Sequence, residues 1–244
     1  MQTTSLSQTR SHVSLSSERR FFAWLSIAIL LSAVVGFLRT YFLVPALGLP
    51  ADALAPTHLV HIHAIVFFAW CVLLVLQSWL VISNRTSLHR RMGVLGLVLY
   101  GGLVVTGPIV AVRSAIRFGS TPDELAFLAV GLSSALAYTA IFGSAFYWRR
   151  RPDIHKRLMI VGMVVLLTAP FGRLSTFPYL LEHVIGPGVV VVALAIWDYS
   201  AYGRLHFVTG IVGPVVLIWA LLPNLYMNST WWLDVSRWLV NVAA

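Results

Sequence analysis

Charged residues and cysteines are scarce in this chain. Only 10% of its 244 residues are charged and 59% are hydrophobic, whereas about a quarter of the residues of an ordinary soluble domain are charged. The single cysteine, Cys71, lies inside an apolar run. An intramolecular disulfide and a zinc site with several cysteines are therefore excluded. The composition indicates one domain that lies in a bilayer, with no room for a second, soluble one.

Lysine and several well-known catalytic motifs are also scarce or absent. The one lysine, Lys156, lies in a predicted loop, whereas a retinal protein needs a lysine inside a span to form its Schiff base. The sequences H-E-x-x-H and G-x-S-x-G and a phosphate-cradling glycine loop do not occur. The sequence therefore excludes a retinal protein and contains no motif for these zinc-protease, serine-hydrolase or nucleotide-binding chemistries.

Long apolar runs separated by short polar loops predict an all-α, polytopic bundle of seven transmembrane helices. A span needs about 20 mostly apolar residues. The predicted helices cover residues 21–44, 58–83, 92–112, 125–148, 158–180, 188–202 and 206–225. The polar composition of residues 1–20 predicts a flexible cytoplasmic tail. We expect residues 21–226 to form the transmembrane domain. Residues 227–244 predict an amphipathic tail that lies on the membrane surface.

The distribution of basic residues predicts the orientation of the chain. With seven spans, the N-terminal tail and every second loop share one side, which holds 12 of the 17 basic residues. Cytoplasmic loops of membrane proteins carry the excess of Lys and Arg. We therefore expect the N-terminus in the cytoplasm and the C-terminus outside, in a bacterial cytoplasmic (inner) membrane. This topology explains the net charge of +9, so we expect no nucleic-acid partner.

A short basic motif recurs near the start of three predicted helices. It reads His-Arg-Arg at residues 89–91, His-Lys-Arg at 155–157 and, more loosely, Arg-Leu-His at 204–206. In each copy a glycine follows the histidine by seven residues, which is two helical turns and the same face. These glycines are Gly96, Gly162 and Gly213. We expect the three histidines, His89, His155 and His206, to meet at the inner end of the bundle.

Three interpretations of this histidine triad stay open. The positive end of a helix dipole disfavours imidazolium, and neutral imidazole is the form that a metal or haem iron requires. A glycine two turns deeper would leave room for a flat macrocycle. The same helix ends also favour anions, so a lipid phosphate is a second interpretation. In the third, the side chains sit among headgroups without a specific ligand.

A second group of histidines lies at the outer end of the second predicted helix. His61 and His63 occur there, and His183 follows the fifth helix on the same predicted side. One hypothesis is a haem or metal site that uses His61 or His63 with His183. The alternative is that these side chains cap the helix and contact headgroups. Trp70 and Gln77 follow His63 at intervals of seven, which predicts one stripe facing the bundle.

Charged residues inside predicted spans form a third group of candidates. Arg173 and Asp198 are costly in a bilayer unless they are paired or line a cavity. We expect Asp198 to pair with Arg204 or Arg91. Arg173 is expected to satisfy backbone carbonyls near its flanking prolines, or an anionic ligand. The candidate anion-binding or ion-pair residues are Arg91, Arg157, Arg173, Asp198 and Arg204.

Residues 77–96 resemble a signature of uncharacterised bacterial multi-pass membrane proteins. In that signature a helix with a glutamine leads into an arginine and then Leu-His-Arg-Arg-Leu-Gly. Here Gln77, Arg85 and residues 88–93 occupy those positions, and the family implies no particular activity. The chain is more distantly similar to cytochrome b561 and ferric-reductase-like membrane haem proteins. That similarity implies haem b bound between paired histidines of neighbouring helices, although the fourth predicted helix here has none.

Three functions are consistent with these patterns. The first is a b-type haem- or metal-binding protein that passes electrons or serves the assembly of a respiratory complex, with another membrane protein as partner. The second is a scaffold without catalysis that binds a partner or the anionic headgroups of the bilayer. The third is a transporter for a small anion or for protons that uses Arg173 and Asp198. The sequence assigns no catalytic residue.

Overall fold

The computed structural model describes residues 14–44, 46, 56–174 and 184–244, and all regular structure in them is helical. The all-α prediction is therefore confirmed for this part of the chain. The helices are α1 (Leu15–Phe42), α2 (His58–Ile82), α3 (Thr86–Arg117), α4 (Pro122–Tyr147), α5 (Pro152–Phe171), α6 (Gly186–Tyr202), α7 (Val208–Tyr226) and α8 (Thr230–Ala243). The last turn of α1 and the first turn of α7 are π-helical.

Six of these helices, all except α6 and α8, are long and apolar enough to cross a membrane. This is the architecture of a multi-pass membrane protein. Helix α6 has 17 residues, which corresponds to about 25 Å at 1.5 Å per residue. That length is shorter than the hydrocarbon core of roughly 30 Å, so a seventh span stays a prediction.

The predicted start of the first helix is wrong. Helix α1 begins at Leu15 and not at residue 21, so residues 15–20 belong to the helix and not to a flexible tail. The cause is a local cap: the Ser14 hydroxyl oxygen accepts the backbone N–H of Ser17 at 3.2 Å, which satisfies one of the first helical donors. The helix therefore starts before the apolar run does.

The predicted starts of the third and fifth helices are also too late. Helix α3 begins at Thr86 and α5 at Pro152, so the two His-basic-basic motifs lie within their first two turns and not in loops. Proline suits the first helical turn because its missing N–H would have no partner there. Helix α5 ends at Phe171, and residues 175–180 of its predicted continuation lie outside the described residues.

Helix α5 is the centre of the bundle. It contacts α1, α4, α6 and α7, and 72% of its most apolar stretch is buried, against 11% for α3. Its residues 158–167 are apolar on every face, which is typical of a helix surrounded by other helices. On α1, Gly36 lies so close to Pro170 of α5 that a Cβ would overlap it. The last turn of α5 is therefore packed closely against α1.

Helix α8 packs across α3 and α4. The indole N–H of Trp232 donates to the carbonyl of Leu125 at 3.1 Å, and the buried stripe of the helix is Trp232, Ser236 and Val240. An exposed apolar stripe consists of Trp231, Val235, Trp238 and Val242, and an exposed polar stripe of Asp234, Arg237 and Asn241. Exposed apolar and polar stripes on one helix are the pattern of a helix at a membrane surface.

Candidate functional site

A cavity of about 1090 Å³ opens at one end of the bundle, and we call it the basic cavity. Its wall is formed by the N-terminal parts of α1, α3 and α5, by the second half of α2, and by the end of α4 with the turn that follows it. Its apolar side chains include Phe22, Trp70, Leu74, Phe146 and Met159. The cavity is large enough for a cofactor, since small-molecule sites usually measure about 300–1,000 Å³.

Two of the predicted histidines line the basic cavity, His89 from α3 and His155 from α5. The Nδ1 atom of His155 lies 2.8 Å from the carbonyl oxygen of Ala145, and Nδ1 of His89 lies 3.4 Å from the carbonyl oxygen of Gln77. A carbonyl only accepts hydrogen bonds, so in the neutral form of both rings Nδ1 carries the proton and Nε2 keeps a lone pair. This is the arrangement in which histidine binds iron or another metal.

Gln77 contacts His89 twice and thereby joins the end of α2 to the start of α3. Its backbone carbonyl accepts from the imidazole, and its side-chain Nε2 donates to the carbonyl oxygen of His89 at 3.2 Å. The remaining amide oxygen of Gln77 is buried without a hydrogen-bond partner, as is Nε1 of the neighbouring cavity residue Trp70. The glutamine and histidine of segment 77–96 therefore form one structural unit that orients the ring.

The third histidine of the predicted triad, His206, does not line the basic cavity. Its Nε2 lies 3.7 Å from Oδ2 of Asp153, and its Nδ1 accepts the backbone N–H of Val208 at 3.2 Å. Burial lowers the pKa of His206, and the nearby Arg157 cation lowers this pKa further. The structure therefore brings together two of the three motif histidines.

Only one of the three motif glycines borders the basic cavity. Gly96 lines the cavity wall. A Cβ on Gly162 would overlap the ring of Phe142, and a Cβ on Gly213 would lie 2.7 Å from Cγ1 of Val191. Those two glycines serve close helix packing, and neither leaves room for a macrocycle.

Asp198 pairs with Arg157, so the predicted pairing with Arg204 or Arg91 is wrong. Nε of Arg157 donates to Oδ1 of Asp198 at 3.1 Å, and Nη2 donates to the same oxygen. The side chains are 2% and 0% exposed. Arg204 is exposed beyond the left-handed turn at Gly203, and Arg91 is exposed on α3, so neither reaches the carboxylate.

Two groups, one in the first turn of α7 and one just before that helix, complete the hydrogen bonds of Asp198. The hydroxyl of Thr209 donates to Oδ2 at 2.6 Å, and the backbone N–H of His206 donates to the same oxygen at 3.1 Å. Thr209 lies in the π-helical turn of α7. A buried ion pair is tolerated when its remaining hydrogen-bonding sites are satisfied, so this network links α5, α6 and α7 at the base of the bundle.

A second network joins α1 to α5 and α6. Nζ of Lys156 lies 2.5 Å from Oε1 of Glu18, and the hydroxyl of Tyr202 donates to the same oxygen. Glu18 and Lys156 line the basic cavity, and each neutralises the other. The other charged residues that line this cavity are Arg19, Arg90, Arg149 and Arg150.

The outer histidines make hydrogen bonds within the bundle. Nδ1 of His63 lies 2.8 Å from the hydroxyl oxygen of Thr106, and Nδ1 of His61 lies 2.8 Å from the hydroxyl of Tyr41. Their predicted partner, His183, lies outside the described residues, so the outer bis-histidine site stays a prediction. Trp70 and Gln77, the other members of the predicted stripe, line the basic cavity.

Arg173 binds a backbone carbonyl, as expected for a charge near the end of a span. Its Nη1 donates to the carbonyl oxygen of Ala169 at 2.7 Å. Its guanidinium lies 4.8 Å from the centre of the Phe37 ring, which is within cation–π distance. These contacts stabilise the end of α5 against α1.

Comparisons with known proteins do not identify the chain. No protein-family model, curated protein or solved structure matches it. Across the described ranges, no group of three or more His, Cys, Asp and Glu side chains is placed to hold a metal ion.

Proposed function

We propose that this chain is a membrane protein that binds haem b in the basic cavity and uses it to transfer electrons. One observation carries the proposal: His89 and His155, from different helices, line one largely apolar cavity and each keeps Nε2 free. Two imidazoles are sufficient axial ligands, because the porphyrin itself supplies four nitrogens to the iron.

The residues of the basic cavity fit two parts of haem b, the porphyrin ring and the iron. Trp70, Phe146 and Met159 offer apolar surface to the porphyrin ring. His89 and His155 would bind the iron, and the carbonyls of Gln77 and Ala145 orient their rings. When bound, the haem would supply a one-electron redox couple whose potential depends on its ligands and burial.

The proposed topology has seven spans, with α6 as a short sixth, and an N-terminus in the bacterial cytoplasm. The first turns of α1, α3 and α5 line one cavity together with four arginines. This clustering at one end supports the orientation, because cytoplasmic ends carry the excess of basic residues. The haem would then lie near the cytoplasmic surface, and its electron donor or acceptor would be another membrane protein.

The test is the visible absorption spectrum of the detergent-purified chain, before and after addition of ferric protoporphyrin IX. We expect a Soret band that shifts on reduction with dithionite and that is lost or displaced in His89→Ala and His155→Ala. The matched control is His58→Ala, which removes an exposed histidine that lies outside the cavity and belongs to neither predicted ligand set. A wild-type protein without a Soret band at saturating haem, or cavity variants with an unchanged spectrum, would overturn the proposal.

The arginines of the cavity support a second candidate, a scaffold that binds an anionic lipid headgroup without catalysis. This function requires the charges of the cavity but not its imidazoles. It predicts that His89→Ala and His155→Ala leave the unfolding temperature in anionic lipid unchanged, whereas substitutions of the cavity arginines lower it. The transport hypothesis gains less support, because Arg157, Thr209 and the His206 N–H already satisfy Asp198.

A further inference from the structure

The four arginines of the basic cavity carry charge that no acidic side chain among the described residues neutralises. Arg19 donates to the side-chain oxygen of Asn84 and Arg149 to a backbone carbonyl, which are neutral acceptors. Arg90 and Arg150 make no hydrogen bond or ion pair with any described residue. Glu18, the acidic residue of the cavity, is already paired with Lys156.

Adjacent arginines differ in their position relative to this cavity. Arg90 and Arg150 line it, whereas their neighbours Arg91 and Arg151 do not, and Arg151 lies 3.7 Å from a carboxylate oxygen of Asp153. All four lie near the same end of the bundle, so a role in membrane orientation would apply equally to each. Only a ligand in the cavity would distinguish Arg90 from Arg91.

We propose that Arg90 and Arg150 bind the acidic groups of an amphiphilic ligand whose apolar body lies against Trp70, Phe146 and Met159. The planar guanidinium binds carboxylate or phosphate through two parallel hydrogen bonds. The acidic groups are the carboxylates of a porphyrin or the phosphate of a lipid. This inference rests on the proposed function, because it places the ligand in the same cavity. The sequence predicts Arg91 as an anion-binding residue, whereas this inference assigns that role to Arg90.

The experiment measures equilibrium binding to the full-length protein in a neutral detergent, by quenching of tryptophan fluorescence. The probes are ferric protoporphyrin IX and its dimethyl ester, which absorb the tryptophan emission, and a monoalkyl phosphate with a brominated chain, whose bromine quenches tryptophan. The variants are Arg90→Gln and Arg150→Gln, with Arg91→Gln and Arg151→Gln as matched controls. Thermal unfolding of each variant confirms that it is folded.

We expect the wild type to bind the free porphyrin diacid about tenfold more tightly than the dimethyl ester. Arg90→Gln and Arg150→Gln should each weaken diacid binding by roughly three- to tenfold and leave ester binding unchanged. The two controls should stay within about twofold of wild type. The preference for the diacid should shrink as salt screens the charges.

The outcomes separate this inference from the haem proposal. Equal binding of diacid and ester, with both lost in His89→Ala, would overturn the arginine site and leave haem binding intact. Binding of the alkyl phosphate that requires Arg90 and Arg150, without porphyrin binding, would support the arginine site, identify a lipid as its source and overturn the haem function. Equal losses in the control variants, or no binding of any probe, would overturn the arginine site.

Discussion

The histidines and the aspartate at the base of the bundle differ in how completely the protein satisfies them. The carboxylate of Asp198 accepts hydrogen bonds from a guanidinium, a hydroxyl and a backbone N–H. Each imidazole of His89 and His155 has one nitrogen satisfied and one free. A buried group whose hydrogen bonds are all made is typical of a structural role. A group at a cavity that keeps one polar atom without a partner is typical of ligand binding. On this criterion Asp198 is structural and the two histidines are ligand candidates.

Removal of one member of the buried ion pair should destabilise the protein more than removal of both charges. Arg157→Met leaves the Asp198 carboxylate buried and uncompensated, and we expect a loss of about 3–5 kcal/mol in the free energy of unfolding. Asn at position 198 keeps a carbonyl oxygen for Thr209 and carries no charge. The double variant Arg157→Met/Asp198→Asn should therefore be more stable than Arg157→Met alone. Denaturant unfolding in detergent measures the wild type and these two variants.

The matched control for this cycle is the exposed pair of Asp234 and Arg237, whose nitrogen and oxygen atoms are 2.7 Å apart. Arg237→Met should change the free energy of unfolding by less than about 1 kcal/mol, because water solvates the remaining carboxylate. If Arg157→Met lowered the free energy of unfolding no more than Arg237→Met does, the network of Asp198 would not stabilise the packing of α6 and α7 against the core.

The existence of the helices could be predicted from the apolar runs, but their first turns could not. Helix α1 starts in a polar segment at Leu15, and α3 starts at Thr86. A hydropathy pattern detects burial in lipid, whereas a helix continues as long as its backbone hydrogen bonds are satisfied and capped. Glu18, Arg19 and Arg90 were therefore assigned to a tail or loop, although they line the cavity. The sequence signal for the start of α1 is Ser14, which suits an N-cap, followed by the acidic Glu18 in the first turn.

Helix α3 offers two glycines that test whether the cavity is the binding site. A Cβ on Gly93 or on Gly101 would meet nothing within 4 Å, and only Gly93 lines the basic cavity. Gly93→Phe should fill the cavity and abolish haem binding, whereas Gly101→Phe should leave it unchanged. Both variants should fold, because replacing a helical glycine tends to stabilise a helix by up to about 1 kcal/mol.

The measurement for this pair is a haem titration followed by absorbance, together with the unfolding temperature of each variant. The two substitutions add the same side chain to the same helix, so helix propensity cannot explain a difference between them. Undiminished haem binding by folded Gly93→Phe would place the haem outside the basic cavity.

At the scale of the whole molecule, the sequence predicts which helix ends share a side but not which of them are neighbours. The three motif histidines were expected to meet, and His89 and His155 do line one cavity. His206 instead contacts Asp153. Periodicity determines the face of a residue on its own helix, whereas the order of helices around the central α5 depends on packing such as that of Gly36 against Pro170.

The number of spans decides whether the two termini lie on the same side of the membrane. An odd number places them on opposite sides, and an even number, which follows if α6 does not cross, places them together. The protein suits cysteine labelling, because its own Cys71 is 0% exposed. Ser16→Cys in the first turn of α1 and Asn241→Cys in α8 introduce thiols at exposed positions near the two ends.

With a membrane-impermeant maleimide on intact cells, we expect labelling of Asn241→Cys but not of Ser16→Cys. Both variants should be labelled after permeabilisation, which serves as the control for reactivity. Labelling of both or neither in intact cells would mean an even number of spans. Labelling of Ser16→Cys alone would invert the proposed orientation and move the basic cavity to the outer surface. At the outer surface the positive-inside rule would not explain the arginines of the basic cavity. Binding of an acidic ligand would then have to explain them.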